Sequence, residues 1–98
     1  MVKEKSCVPL LKALGDETRW RIVRALLAST MTVTELTEEL GVSQYNISKH
    51  LRILREAGIV DTEKAGKHLN CCVAPAFCQQ LTRNKHNLDL GCCTFHFD

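Results

Sequence analysis

Two groups of side chains in this 98-residue sequence could do chemistry. The first is the polar run Ser43-Gln44-Tyr45-Asn46, with Ser48 and Lys49 just after it. It heads a segment in which Ile47, Leu51 and Leu54 recur at spacings of four and three, the spacing of one apolar helix face. The polar residues then face outward. Amide and hydroxyl groups both donate and accept hydrogen bonds, the capability that tells base-pair edges apart in a DNA major groove. Gln44 and Asn46 suit two-point contacts with adenine, and Ser48 suits either kind of base or a phosphate. Tyr45 offers a ring to a sugar or a thymine methyl and a hydroxyl to a phosphate. His50 and Arg52 lie further along and are expected to reach the DNA backbone. Lys64, Lys67 and His68 cluster where a hairpin tip could touch a minor groove or flanking phosphate.

The second group is six cysteines: Cys7, Cys71, Cys72, Cys78, Cys92 and Cys93. The start of the chain has no apolar signal core, and no apolar run approaches the roughly 20 residues that span a bilayer, so a cytosolic protein with no membrane partner is expected. In that reducing setting cysteines point to metal binding, thiol sensing or small buried side chains rather than to disulfides. Thiolates favour zinc and softer ions. Cys71 and Cys72 fall in an expected strand, where neighbours point to opposite faces and do not easily share one ion. One is expected to pack inward and the other to face out. Cys92 and Cys93 follow Gly91 in an irregular stretch, where both sulfurs could turn toward one ion. A disulfide between them is disfavoured, because adjacent Cα atoms sit about 3.8 Å apart and disulfides span roughly 4.4–6.8 Å. The plain alternative is a tail docked by Phe95 and Phe97 with no ligand.

The elements that would carry these groups follow from spacing and stop signals. Residues 7–14 suit a short helix with Pro9 in its first turn and Gly15 after it. Asp16 sits where an N-cap belongs, ahead of a helix over 17–28 with Trp20, Ile22, Val23, Leu26 and Leu27 at helical spacing. Thr34 is the expected cap of the next helix, with Val33 stapled onto it, Leu36 and Leu40 as its buried edge and Gly41 as its stop. Ser43 caps the polar-faced helix, and Gly58 ends it. Ile59 to Lys64 and Lys67 to Val73 read as two strands around an Ala65-Gly66 turn. Pro75 opens a last helix, roughly 75–84. Two helices across a three-residue turn, followed by a hairpin, make a winged helix-turn-helix: mostly α, with a β-hairpin wing.

Net charge is only +2, but its distribution is uneven. Residues 29–42 carry three glutamates and no base, while residues 43–68 carry five bases against three acids. Lys49, Arg52, Arg55, Lys64 and Lys67 are thus candidates for phosphate contact.

The run from Leu11 to Val23 (LKALGDETRWRIV), the Leu40-Gly41-Val42-Ser43-Gln44 that leads into Ile47-Ser48-Lys49-His50-Leu51, and Leu54 to Val60 (LREAGIV) together resemble the ArsR-type repressor family over about residues 7–76. Trp20 stands where an aliphatic residue is commoner. The resemblance implies a homodimer built by the first and last helices, binding a palindromic double-stranded operator and released by an inducer, often a metal or metalloid. The family's arsenical site places cysteines in the segment that here reads Thr34-Glu35-Leu36-Thr37-Glu38, so that site is absent. The family's second site uses His and carboxylates on the last helix. Its nearest match here, His86, Asp89, His96 and Asp98, is interrupted by Gly91 and does not fall on one helix face. The family dimer brings the N-terminal helix near the C-terminal region, which nominates Cys7 as third ligand beside Cys92 and Cys93, with Cys78 as alternate.

The expectation is therefore a regulator domain over 1–84 and a cysteine-containing tail over 85–98. It needs no cofactor, and a thiol-binding inducer such as As(III) or Sb(III) releases it from DNA. The alternative is a repressor on the same scaffold that answers to thiol redox or persulfide, although no Cys-x-x-Cys is present. No nucleophile–base pair or phosphate loop suggests an enzyme.

Overall fold

In a computed structural model of the chain, residues 10–79 are described, together with two short strands beyond them. Helical residues 10–14 (α1) end at Gly15. Helix α2, Glu17–Ala28, begins on Asp16, whose carboxylate accepts from the Arg19 backbone N–H. Helix α3 is Val33–Leu40 and helix α4 is Gln44–Glu56. The α3–α4 connection is Gly41-Val42-Ser43. It is kept short by Gly41 at φ 68°, a left-handed conformation that glycine adopts without a Cβ clash. Ser43 caps α4 by accepting from the Asn46 N–H.

Three strands form an antiparallel sheet in the order β1-β3-β2: β1 Met31–Thr32, β2 Val60–Ala65 and β3 His68–Val73. The pairing of Ala65 with His68 makes Gly66-Lys67 the hairpin loop. The turn thus lies one residue later than expected, with Gly66 at φ 64° as its first position, and Lys67 sits in the tip rather than in the strand.

Two further expectations are corrected. The cap of α3 is Thr32, not Thr34. The hydroxyl of Thr32 accepts from the Glu35 N–H, and the Glu35 carboxylate accepts from the Thr32 N–H, a complete capping box. Val33, expected as a staple outside the helix, is its first residue and is buried. The hairpin also gains β1 as a third strand. Two residues are too few to show a period of two, so periodicity could not reveal it. Helix α5 is described over Pro75–Cys78, and its expected extension to residue 84 lies outside the described residues. So does the expected division between domain and tail. Within the tail, Asn87–Asp89 (β4) and Thr94–His96 (β5) pair antiparallel.

One core joins these elements. Ile22 of α2, Leu36 of α3, Ile47 and Leu54 of α4, Ile59 ahead of β2 and Phe77 of α5 are all less than 2% exposed or at that limit. Each such side chain contributes roughly 1.5–3 kcal/mol relative to leaving it in water. Trp20 packs on the rim of this core and is only half-buried.

Candidate nucleic-acid interface

Helix α4 divides by face. Ile47, Leu51 and Leu54 are buried against the other helices and the sheet. Ser43, Gln44, Tyr45, Asn46, Ser48, Lys49 and Arg52 are exposed, Tyr45 to 77%. The side chains of Gln44, Tyr45, Asn46, Ser48, Lys49 and Arg52 make no hydrogen bond or ion pair among the described residues. An exposed tyrosine, two amides and two cations on one helix face are unmatched donors and acceptors, and a partner surface can supply the matches. Tyr45, Ser48, Lys49 and Arg52 line one shallow open depression. Lys64, Lys67 and His68 are likewise exposed, at the tip of the β2–β3 hairpin. Arg55 donates to the Thr62 hydroxyl at 3.3 Å and so ties the C-terminal end of α4 to β2.

His50 departs from the expectation that grouped it with the DNA-facing residues. It lies three residues after Ile47 and four before Leu54, which puts it on the inner side of the helix. Its side chain is only 15% exposed. Nδ1 lies 3.1 Å from Nη1 of Arg19 and 3.9 Å from Oδ2 of Asp16. Burial holds the imidazole below the ordinary histidine value of 6.5; Asp16 pulls it up, and Arg19 and Lys49 push it down further. Burial by itself would raise the Asp16 carboxyl. The Arg19 backbone N–H, the Arg19 guanidinium and the His50 ring outweigh that and hold it below 3.8.

Sequence reading missed Arg19 and Arg21, whose partners lie outside their own helix, six to thirty-one residues away. Arg19 bonds the carbonyls of Lys12 and Ala13, and Arg21 donates to the Leu40 carbonyl at the end of α3. A basic residue in a helical run carries no local sign of such a distant acceptor.

The cysteines separate as strand geometry requires. Cys71 is fully buried, and burial pushes its thiol up to about 11. Cys72 is half-buried and faces the other way; burial, then Asp61, Cys78 and Glu63 nearby, raise its thiol too. Thiols shifted upward are protonated at neutral pH and are weak ligands and nucleophiles. Cys7, Cys92 and Cys93 lie outside the described residues. Among the described residues no three His, Cys, Asp or Glu side chains are grouped to hold a metal ion, and no helix is long and apolar enough to cross a membrane.

Comparison with known proteins agrees with this geometry. Residues 16–62 match the family model described as bacterial regulatory protein, arsR family. An uncharacterised HTH-type transcriptional regulator of Methanocaldococcus jannaschii is 40% identical over 67 residues, which are 67% of this chain and 75% of that protein. The transcriptional activator HlyU of Vibrio cholerae is 44% identical over 57 residues, which are 58% of this chain and 53% of HlyU. A solved HlyU structure superimposes with a TM-score of 0.70 at 35% identity, covering 72% of this chain and 77% of that one. The transcriptional repressor BigR of Xylella fastidiosa gives a TM-score of 0.70 at 31% identity, covering 76% of each chain. The matched region spans the polar-faced helix α4, and the chain belongs to the arsR family and is a DNA-binding transcriptional regulator, not an enzyme.

Proposed function

We propose that the chain acts as a homodimeric repressor on a palindromic operator and leaves it when a thiol-binding inducer such as As(III) or Sb(III) is bound. The observation that carries the DNA half is the row of exposed, unpaired polar side chains on α4, from Gln44 to Arg52. One chain presents one such helix, and a two-fold operator is read by two of them about 34–36 Å apart. An inducer that tilts one subunit against the other by a few degrees spoils that spacing, and a coupling of about 1–3 kcal/mol suffices for regulation.

For the inducer, the chemistry of the thiols supports a site away from β3. Cys71 is sealed in the core with its thiol raised, and strand geometry separates it from Cys72. Cys92 and Cys93, with Cys7 from either subunit or Cys78 as the alternate, offer the three thiolates that a trivalent metalloid wants. Binding of the reduced chain to a labelled duplex from upstream of its own gene tests both halves. Release by arsenite, lost when Cys92 and Cys93 are both replaced by Ser, is the expected result. Release by peroxide and not by arsenite would transfer the assignment to the redox alternative. Lys67→Gln should lower the salt slope of binding by about 1 if the wing touches a phosphate.

A further inference from the structure

The guanidinium of Arg19 joins three parts of the molecule. Nε donates to the Ala13 carbonyl at 2.7 Å and Nη2 to the Lys12 carbonyl at 3.3 Å, both at the C-terminal end of α1. The last carbonyls of a helix lack partners within it, and a side chain that satisfies two of them fixes where that helix ends. The third nitrogen, Nη1, points at Nδ1 of His50 on α4 at 3.1 Å. Arg19 is itself anchored, because its backbone N–H donates to the Asp16 carboxylate at 3.1 Å. A single planar group thus sets α4, which carries the base-reading side chains, against the end of α1.

Only neutral His50 can complete this arrangement. An arginine has donors and no acceptor, so Nδ1 must accept, and the ring proton must sit on Nε2. A proton added to Nδ1 from solvent turns it into a second donor facing a cation. The acceptor within reach is then Oδ2 of Asp16, 3.9 Å away. The charged groups around the ring are Asp16, which caps α2, Arg19 from α2 and Lys49 from α4 itself, and α1 offers only carbonyls to Arg19.

We propose that Arg19 and His50 are positioning residues for the recognition helix, and that protonation of His50 hands its ring from Arg19 to Asp16 and weakens DNA binding. This rests on the DNA-binding reading of α4, but the contact itself is testable without DNA. His50→Asn keeps an acceptor where Nδ1 stands and cannot titrate. His50→Ala removes the acceptor at every pH.

Affinity for the upstream duplex, read by fluorescence anisotropy, should fall about tenfold in the unsubstituted chain between about pH 7.5 and pH 5.5. In H50N it should change by less than about twofold. H50A should bind weakly across the range with the same flat profile. His68 and the remaining histidines are present in all three proteins, so the difference isolates His50. An equal fall in the unsubstituted chain and in H50N would overturn the proposal. If no protein binds the duplex, the DNA-binding reading is what fails. The clasp is then decided in free protein by the ring nitrogen shifts and by amide exchange along α4. A neutral Nε2–H tautomer, with lower α4 protection factors at acid pH in the unsubstituted chain and not in H50N, sustains it. An Nδ1–H tautomer at neutral pH, or identical exchange in both proteins, refutes it.

Discussion

Both sides of α4 carry polar side chains, and they put them to opposite uses. On the outer face, Gln44, Tyr45, Asn46, Ser48 and Lys49 are exposed and unpaired among the described residues. On the inner and C-terminal side, His50 is held by Arg19, and Arg55 reaches Thr62. Polar groups that are already bonded contribute to where the helix lies, and those left open contribute to what it can touch. A polar residue on a recognition helix is therefore not by its type alone a DNA contact. His50 and Lys49 are neighbours, yet one belongs to the scaffold and the other to the surface.

That contrast can be broken from either side. The largest effect should come from the apolar inner face. Leu54→Ala empties a fully buried position and should cost about 2–5 kcal/mol of stability, read by urea denaturation. Next comes the outer face, where the signature reverses. Asn46→Ala should leave stability within about 0.5 kcal/mol but cost about 1–3 kcal/mol of operator binding, as anisotropy against specific and scrambled duplexes would reveal. A large loss of stability in N46A would erase the proposed division. Ser43→Ala removes the cap shared by both faces and should lower stability by about 1 kcal/mol, with amide exchange rising in the first turn of α4.

The smallest effect is the dependence of folding on pH. His50 has a lowered value in the folded chain, so its contribution is present above the unfolded value of about 6.5 and is lost as pH falls below that toward the folded value. Asp16 is lowered as well, so its contribution is present above 3.8 and disappears only as pH falls through its own depressed value. Denaturation midpoints should thus decline in two separate acid steps, with H50N lacking the upper one. A single step unaffected by H50N would mean that the Arg19–His50 contact adds nothing to the fold.

Much of this molecule was legible because its signals are local. Asp16, Gly41 and Ser43 mark helix ends by the backbone groups they satisfy or the conformation they permit, and all three stand where the sequence placed them. The four-and-three spacing of Ile47, Leu51 and Leu54 specified which face of α4 would be buried. Even the capping box of α3 was readable, since Thr32 and Glu35 have the required separation, and Thr34 was simply the wrong threonine. What escaped depends on residues distant in the chain. β1 exists only because β3 comes alongside it, with Met31 opposite Cys71. His50 turned out to be part of the scaffold because Arg19, thirty-one residues earlier, is brought to 3.1 Å from it. Local sequence determines which backbone groups are capped and which face is apolar, through forces that act within a turn or two. Which polar side chains are consumed inside the fold depends on which elements meet, and only tertiary packing decides that.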